Sequence, residues 1–133
     1  MKLSVIVIAI IVAMIASSCE SSIKSEELYG EWKYVKVESP REDPPLLMEE
    51  DDLKVDHPSI KFSKGNHLVI MWGGKKLSDG TFRMEDRMIR FKENLDGDAT
   101  REFPFLITEF SKDRMVFETM SQDLTRVTAV KVK

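Results

Sequence analysis

The stretch Leu28-Tyr29-Gly30-Glu31-Trp32-Lys33-Tyr34-Val35-Lys36-Val37-Glu38 decides how this chain reads. Trp32 and Tyr34 fall on one parity, and aromatic and β-branched residues of this kind favour a half-buried strand. It is the first segment after an apolar leader that can form a strand. Everything downstream reads as further strands laid beside it.

After Pro58 the period stays at two. Ser59-Ile60-Lys61-Phe62 alternates, and Lys64-Gly65-Asn66 is a turn. His67 to Trp72 puts Leu68, Ile70 and Trp72 on one face. Gly73-Gly74 predicts a two-residue hairpin, because a primed turn needs positive φ at both central positions. Leu77 to Met84 returns, with Asp79-Gly80 read as a bulge. Met88 to Phe91 follows Glu85-Asp86-Arg87, and Asn94 to Ala99 turns around Asp96-Gly97-Asp98. Thr100 to Phe110 is a long strand in which Pro104 implies a bulge or a missing ladder bond. Arg114 to Met120 and Thr125 to Val132 complete eight strands. Hairpin-linked strands remove their exposed edges by closing, so the expected fold is all-β: an eight-stranded antiparallel up-and-down barrel, with a two-sheet β-sandwich as the alternative.

One break interrupts the meander. Between Ser39 and Pro58 stand Pro40, Pro44 and Pro45, which exclude a central strand. Pro45 can open a turn or two of helix, with Leu46, Leu47, Met48 and Leu53 as its apolar edge. A connection this long is usually functional, and these four residues are the candidate lid.

At the N-terminus Met1-Lys2 precedes an apolar run from Leu3 to Ile15, interrupted by Ser4 alone. As a helix the run covers only about 20 Å, short of a bilayer core of about 30 Å. Residues 1–18 therefore read as a signal peptide. Ala16-Ser17-Ser18 leads to Cys19, the one cysteine in the chain. This junction resembles a bacterial lipobox, which implies that Cys19 carries a lipid. Plain cleavage after Ser18 is the alternative, and it would leave an odd thiol in an oxidising compartment. Residues 19–27 read as a lipidated polar tether and 28–133 as the domain. Beyond the leader, nineteen Lys/Arg face twenty-three Asp/Glu, a net charge of −4. That balance argues against nucleic acid, whose binding needs phosphate neutralisation, and leaves membrane attachment to the acyl chains.

Gly30-Glu31-Trp32 at the head of the first strand, the long loop after it and the hairpins beyond are similar to a lipocalin-like domain. Segments such as Val69-Ile70-Met71-Trp72-Gly73-Gly74 and Met88-Ile89-Arg90-Phe91-Lys92 resemble the small lipocalin-like lipoproteins of Gram-negative bacteria. The resemblance implies an exported outer-membrane lipoprotein, facing the periplasm or the surface. It also implies a cation from the last strand covering Trp32. Arg126 lies at the wrong end of that strand, so Lys131 or Lys133 takes the role.

No catalytic constellation stands in the sequence: no Gly-x-Ser-x-Gly elbow, no His-Glu-x-x-His and no phosphate-cradling loop. The reading is non-enzymatic, with no cofactor and no metal. His57 and His67 read as solvent-facing, the run Glu49-Glu50-Asp51-Asp52 as solvated, and Asp96-Gly97-Asp98 as a turn. The functional candidates are Trp32, Tyr34, Phe62, Ile70, Trp72, Phe82, Phe91, Phe103, Phe105 and Phe117, all on inward parity. They line a pocket for a small apolar ligand entering past the 39–58 loop, or they pack as a solid core, since eight strands leave room for little else. In the second case the domain is an interaction module that uses an outer face or the acidic loop, with a protein partner the sequence does not identify.

Overall fold

The computed structural model describes residues 22–119 and 123–133, and the signal peptide and Cys19 lie outside them. Nine strands run in chain order: β1 (Gly30–Ser39), β2 (Leu46–Met48), β3 (Ser59–Ser63), β4 (His67–Trp72), β5 (Lys75–Glu85), β6 (Met88–Asn94), β7 (Thr100–Phe110), β8 (Arg114–Thr119) and β9 (Arg126–Lys131). Two single-turn helices, α1 (Ser25–Leu28) and α2 (Glu50–Leu53), complete the set. Each strand pairs antiparallel with its neighbour in the order β1-β3-β4-β5-β6-β7-β8-β9, and β9 pairs back onto β1. The sheet is thus a closed eight-stranded up-and-down barrel, not a sandwich. β2 is an extra strand on the end of β1, where Val37, Glu38 and Ser39 face Met48, Leu47 and Leu46.

Register explains which face of each strand is buried. Trp32 opposes Ile60 and Lys131, Phe62 opposes Leu68, Phe82 opposes Phe91, and Phe91 opposes Phe103. Each of these pairs has side chains on the same side of the sheet, so apolar residues collect inside and charges outside. A bulge between Tyr34 and Lys36 resets the parity of β1, so that Trp32 and Tyr34 point inward before it and Val37 after it.

Turn chemistry follows the glycines. Gly73 (φ 61°) and Gly74 (φ 76°) close the β4–β5 hairpin with Trp72 opposite Lys75, as the dipeptide predicted. Gly80 does not form the expected bulge. The register slips one turn earlier, leaving Leu77 unopposed between the pairs Ile70–Ser78 and Met71–Lys76. Gly80 serves close approach instead, because a Cβ there would lie 1.9 Å from the carbonyl oxygen of Lys92. Pro104 stays in register opposite Arg90, and the β7 bulge falls between Ile107 and Glu109. The Ile107 N–H points toward the β6 side, to Arg87 O at 2.9 Å, so alternation turns the Pro104 nitrogen toward β8. The described β8 pairing ends at Phe105–Thr119.

Two other expectations change. Pro45 opens no helix: residues 46–48 form β2, and the helical turn comes later, at Glu50–Leu53, with Leu53 buried. The polar stretch expected as a free tether is folded from Ile23 onward. Ile23 and Leu28 are buried in the main apolar cluster, and the Ile23 N–H donates to Asp86 O at 3.0 Å. Two buried apolar residues five positions apart, one ahead of α1 and one at its end, tie the polar segment down.

Because strands alternate in direction, the loops sort to two ends. At one end lie α1, the 64–66, 85–87 and 111–113 turns and the finish of β9. Here Trp32 is fully buried, its indole Nε1 donates to Leu28 O at 2.8 Å, and Lys131 Nζ sits 5.2 Å from the ring centroid. Lys131 therefore fills the role expected of it, while Arg126 pairs with Glu118 (2.7 Å) at the other end of β9. This end is closed. The opposite end carries β2, α2, the β4–β5 hairpin and the connections from β6 to β7 and from β8 to β9, and it is the mouth.

Candidate functional site at the mouth of the barrel

Of the ten inward candidates, Trp32, Tyr34, Phe62, Phe82, Phe91, Phe105 and Phe117 are buried, while Ile70, Trp72 and Phe103 are half-buried against them. The rings contact one another as a relay: Phe62–Phe82 at 5.1 Å, Phe91–Phe103 at 5.2 Å, Phe103–Phe105 at 5.3 Å, Phe105–Phe117 at 5.5 Å and Phe117–Tyr34 at 6.0 Å. Such edge-to-face and tilted pairs add to the burial of each ring. Trp32 and Phe91 have no exposed surface, and Phe62 and Phe117 keep 2%. A void wide enough for a water molecule beside these rings would leave them surface that solvent could touch. The interior is therefore filled by its own side chains from the closed end up to Phe105 and Phe117.

Polar chemistry begins above that level. Glu93 lies on the inward parity of β6, between Gly80 and Arg101, and is nearly buried. Its Oε2 accepts from Ser78 Oγ and its Oε1 from Arg101 Nε at 2.7 Å. Arg101 then lies over the Phe103 ring, 5.3 Å from the centroid. A buried carboxylate needs such partners, and the guanidinium links it to the aromatic lining. Across the lumen, Tyr34 packs its ring on Trp72 (6.4 Å) and Phe117. Burial pushes its phenol well above the usual tyrosine range. Among the described residues its hydroxyl makes no hydrogen bond, yet no fully buried side-chain oxygen lacks a partner.

Two depressions open at this end. One, of about 450 Å³, is lined by Arg101, Phe103, Pro104, Thr119 and Thr125. The other, of about 480 Å³, lies between Leu77, Ser78, Glu93, Leu95 and Arg101. Neither is lined by the 39–58 segment, whose Glu49, Glu50 and Asp51 instead line a depression of about 440 Å³ with Val35, Lys36, Arg114 and Thr128. Of the candidate lid, Leu53 is buried, Met48 packs against the core, and Leu46 and Leu47 are about half exposed on β2. The segment is held by the β1 ladder, by Leu53 and by the bond from Gly73 N–H to Asp56 O at 2.7 Å. It extends the wall instead of hanging free over the lumen. His57 and His67 are both exposed.

The sequence reading weighed Glu93 only with the Asp96-Gly97-Asp98 turn and did not join it to Ser78 and Arg101. Only the strand register brings them together, since they stand fifteen and eight residues apart along the chain. Alternation along β6 places Glu93 with Ile89 and Phe91, which was the one available signal. Comparison with protein families, curated proteins and solved structures gave no match for this chain.

Proposed function

We propose that the chain is an exported outer-membrane lipoprotein, attached through Cys19, whose barrel is a non-enzymatic binding module that engages its partner at the mouth. The observation that carries this reading is the filled interior. With Trp32, Phe62, Phe91 and Phe117 sealed, a lumen-spanning ligand has no room, and recognition is left to the rim. The lipobox-like Ala16-Ser17-Ser18-Cys19 supports the attachment. The open end is tested by placing a photo-cross-linking side chain at Leu77 or Leu95, and at Lys64 or Lys112 of the closed end, in intact cells. Adducts from the open-end positions are expected, and adducts from the closed end alone overturn the reading. Palmitate labelling tests the anchor: Cys19→Ala is expected to abolish it, and unchanged labelling ends the lipoprotein assignment.

A second reading keeps a small apolar ligand, favoured by the depression against Phe103. A site of that volume suits a small molecule that stacks on an aromatic floor. Native mass spectrometry of the protein from its own cells decides between the two. A co-purified mass lost in Phe103→Ala supports the ligand, and an unliganded mass supports the protein partner.

A further inference from the structure

We infer that the open-end rim docks a basic polypeptide surface with apolar side chains at its centre. This rests on the reading above, that recognition lies at the mouth.

Six large apolar side chains are exposed among the described residues: Leu46 (45%), Leu47 (51%), Val55 (84%), Leu77 (66%), Leu95 (41%) and Val132 (47%). Single exposed leucines are ordinary on any protein. Their distribution is not, because the first five all belong to the open end. The elements that carry them also follow one another around the rim. Leu46 and Leu47 lie on β2, which packs against α2. Val55 follows α2, and its neighbour Asp56 is bonded to the β4–β5 hairpin through Gly73 N–H. Leu77 stands just past that hairpin on the β5 bulge and shares a depression with Leu95. The result is an apolar crescent around the β1-to-β6 side of the mouth, where exposed apolar surface marks an interaction site.

Charge selects the occupant. The described open-end segments 40–58, 73–79, 95–101 and 123–125 hold eleven acids and five cations, a net of −6. The closed-end segments 22–29, 64–66, 85–87, 111–114 and 131–133 hold five acids and seven cations, a net of +2. Glu42, Asp43 and Glu49, flanking Leu46 and Leu47, form no ion pair among the described residues. A rim of this sign repels a second copy of itself, anionic lipid headgroups and nucleic acid. It attracts lysine- and arginine-rich protein, and the apolar crescent supplies the contact that outlasts salt screening.

The probe is a labelled 14-residue peptide of alternating leucine and lysine, with a leucine–glutamate peptide as its counterpart, read by fluorescence anisotropy. The chain from residue 20 onward serves, since every residue of the apolar cluster lies within it. The lysine peptide is expected to bind at least ten times more tightly than the glutamate peptide. The triple variant Leu47→Ser/Val55→Ser/Leu77→Ser, which changes no charge, is expected to weaken binding about tenfold, while Val132→Ser leaves it unchanged. The unshifted fluorescence of Trp32 and Trp72 confirms that the variants fold. Equal binding of the two peptides, or a triple variant within threefold of the parent, overturns the inference. Open-end cross-links in cells to partners without basic surfaces would also overturn it and leave the proposed function standing. Loss of those cross-links would remove the function itself.

Discussion

At the closed end Trp32 is sealed between the Leu28 carbonyl and the Lys131 ammonium, whereas at the open end Trp72 is only partly buried and its indole N–H meets no acceptor among the described residues. The same contrast runs through the loops. Closed-end turns are short, and α1 is tucked beneath them. Apart from the two-residue β4–β5 hairpin, the open-end connections are longer and acidic, and the exposed leucines cluster at this end. One end is built to hold the barrel together, and the other leaves contacts unmade. A small filled barrel separates stability from recognition by assigning them to opposite ends of the same strands.

The largest test of this contrast compares the two tryptophans. Trp32→Ala is expected to cost about 3–5 kcal/mol, as for a fully buried aromatic. Trp72→Ala should cost about 1 kcal/mol, since only part of a full burial worth roughly 1.5–3 kcal/mol is lost. Urea denaturation measures both, and equal costs would break the division of labour. Next come the glycines. Gly30 has φ 130°, and a Cβ would lie 2.8 Å from Lys131 Cε, the atom next to the ammonium over Trp32. Gly30→Ala should cost roughly 2–3 kcal/mol through backbone strain and a displaced lysine. Gly97 at the open end, φ 67° with no atom within 4 Å of a Cβ, should cost about 1 kcal/mol as alanine.

The smallest effect at neutral pH concerns Tyr34. Its folded phenol is held by burial above the ordinary tyrosine value of about 10, so above that pH the unfolded chain releases a proton that the folded chain keeps. Stability then falls as pH rises through the alkaline range. Tyr34→Phe should remove that part of the fall and change stability by less than about 0.5 kcal/mol at pH 7, since no hydrogen bond is lost. Thermal melts at pH 7 and above pH 10 check it. A large loss at pH 7 would mean the hydroxyl is held by something other than solvent.

Much of the barrel was legible because it rests on local rules. Period-two alternation marked the eight barrel strands, and Gly73-Gly74 marked a hairpin that only positive φ can close. Trp32 and a terminal lysine were legible as a closing pair. Three features were hidden. β2 is three residues long, too short for alternation to show and preceded by Pro44 and Pro45. α1 looked like a spacer because two buried side chains, Ile23 and Leu28, stand among Lys24, Ser25, Glu26 and Glu27. The mouth was hidden for a different reason. Which acids and leucines share an end depends on strand direction, and the Ser78–Glu93–Arg101 cluster depends on register, so neither exists as a spacing in the chain.

The bond between Ile23 and Asp86 has a consequence for how the domain would sit on a membrane. Ile23 is the fourth residue after Cys19, and four residue steps reach at most about 14 Å. The ten-residue β1 alone extends roughly 33 Å at ~3.3 Å per residue. On a leash less than half as long as its own wall, an acylated barrel would keep its closed end beside the bilayer. The acidic mouth, at the other end of the strands, would be the part farthest from the point of attachment.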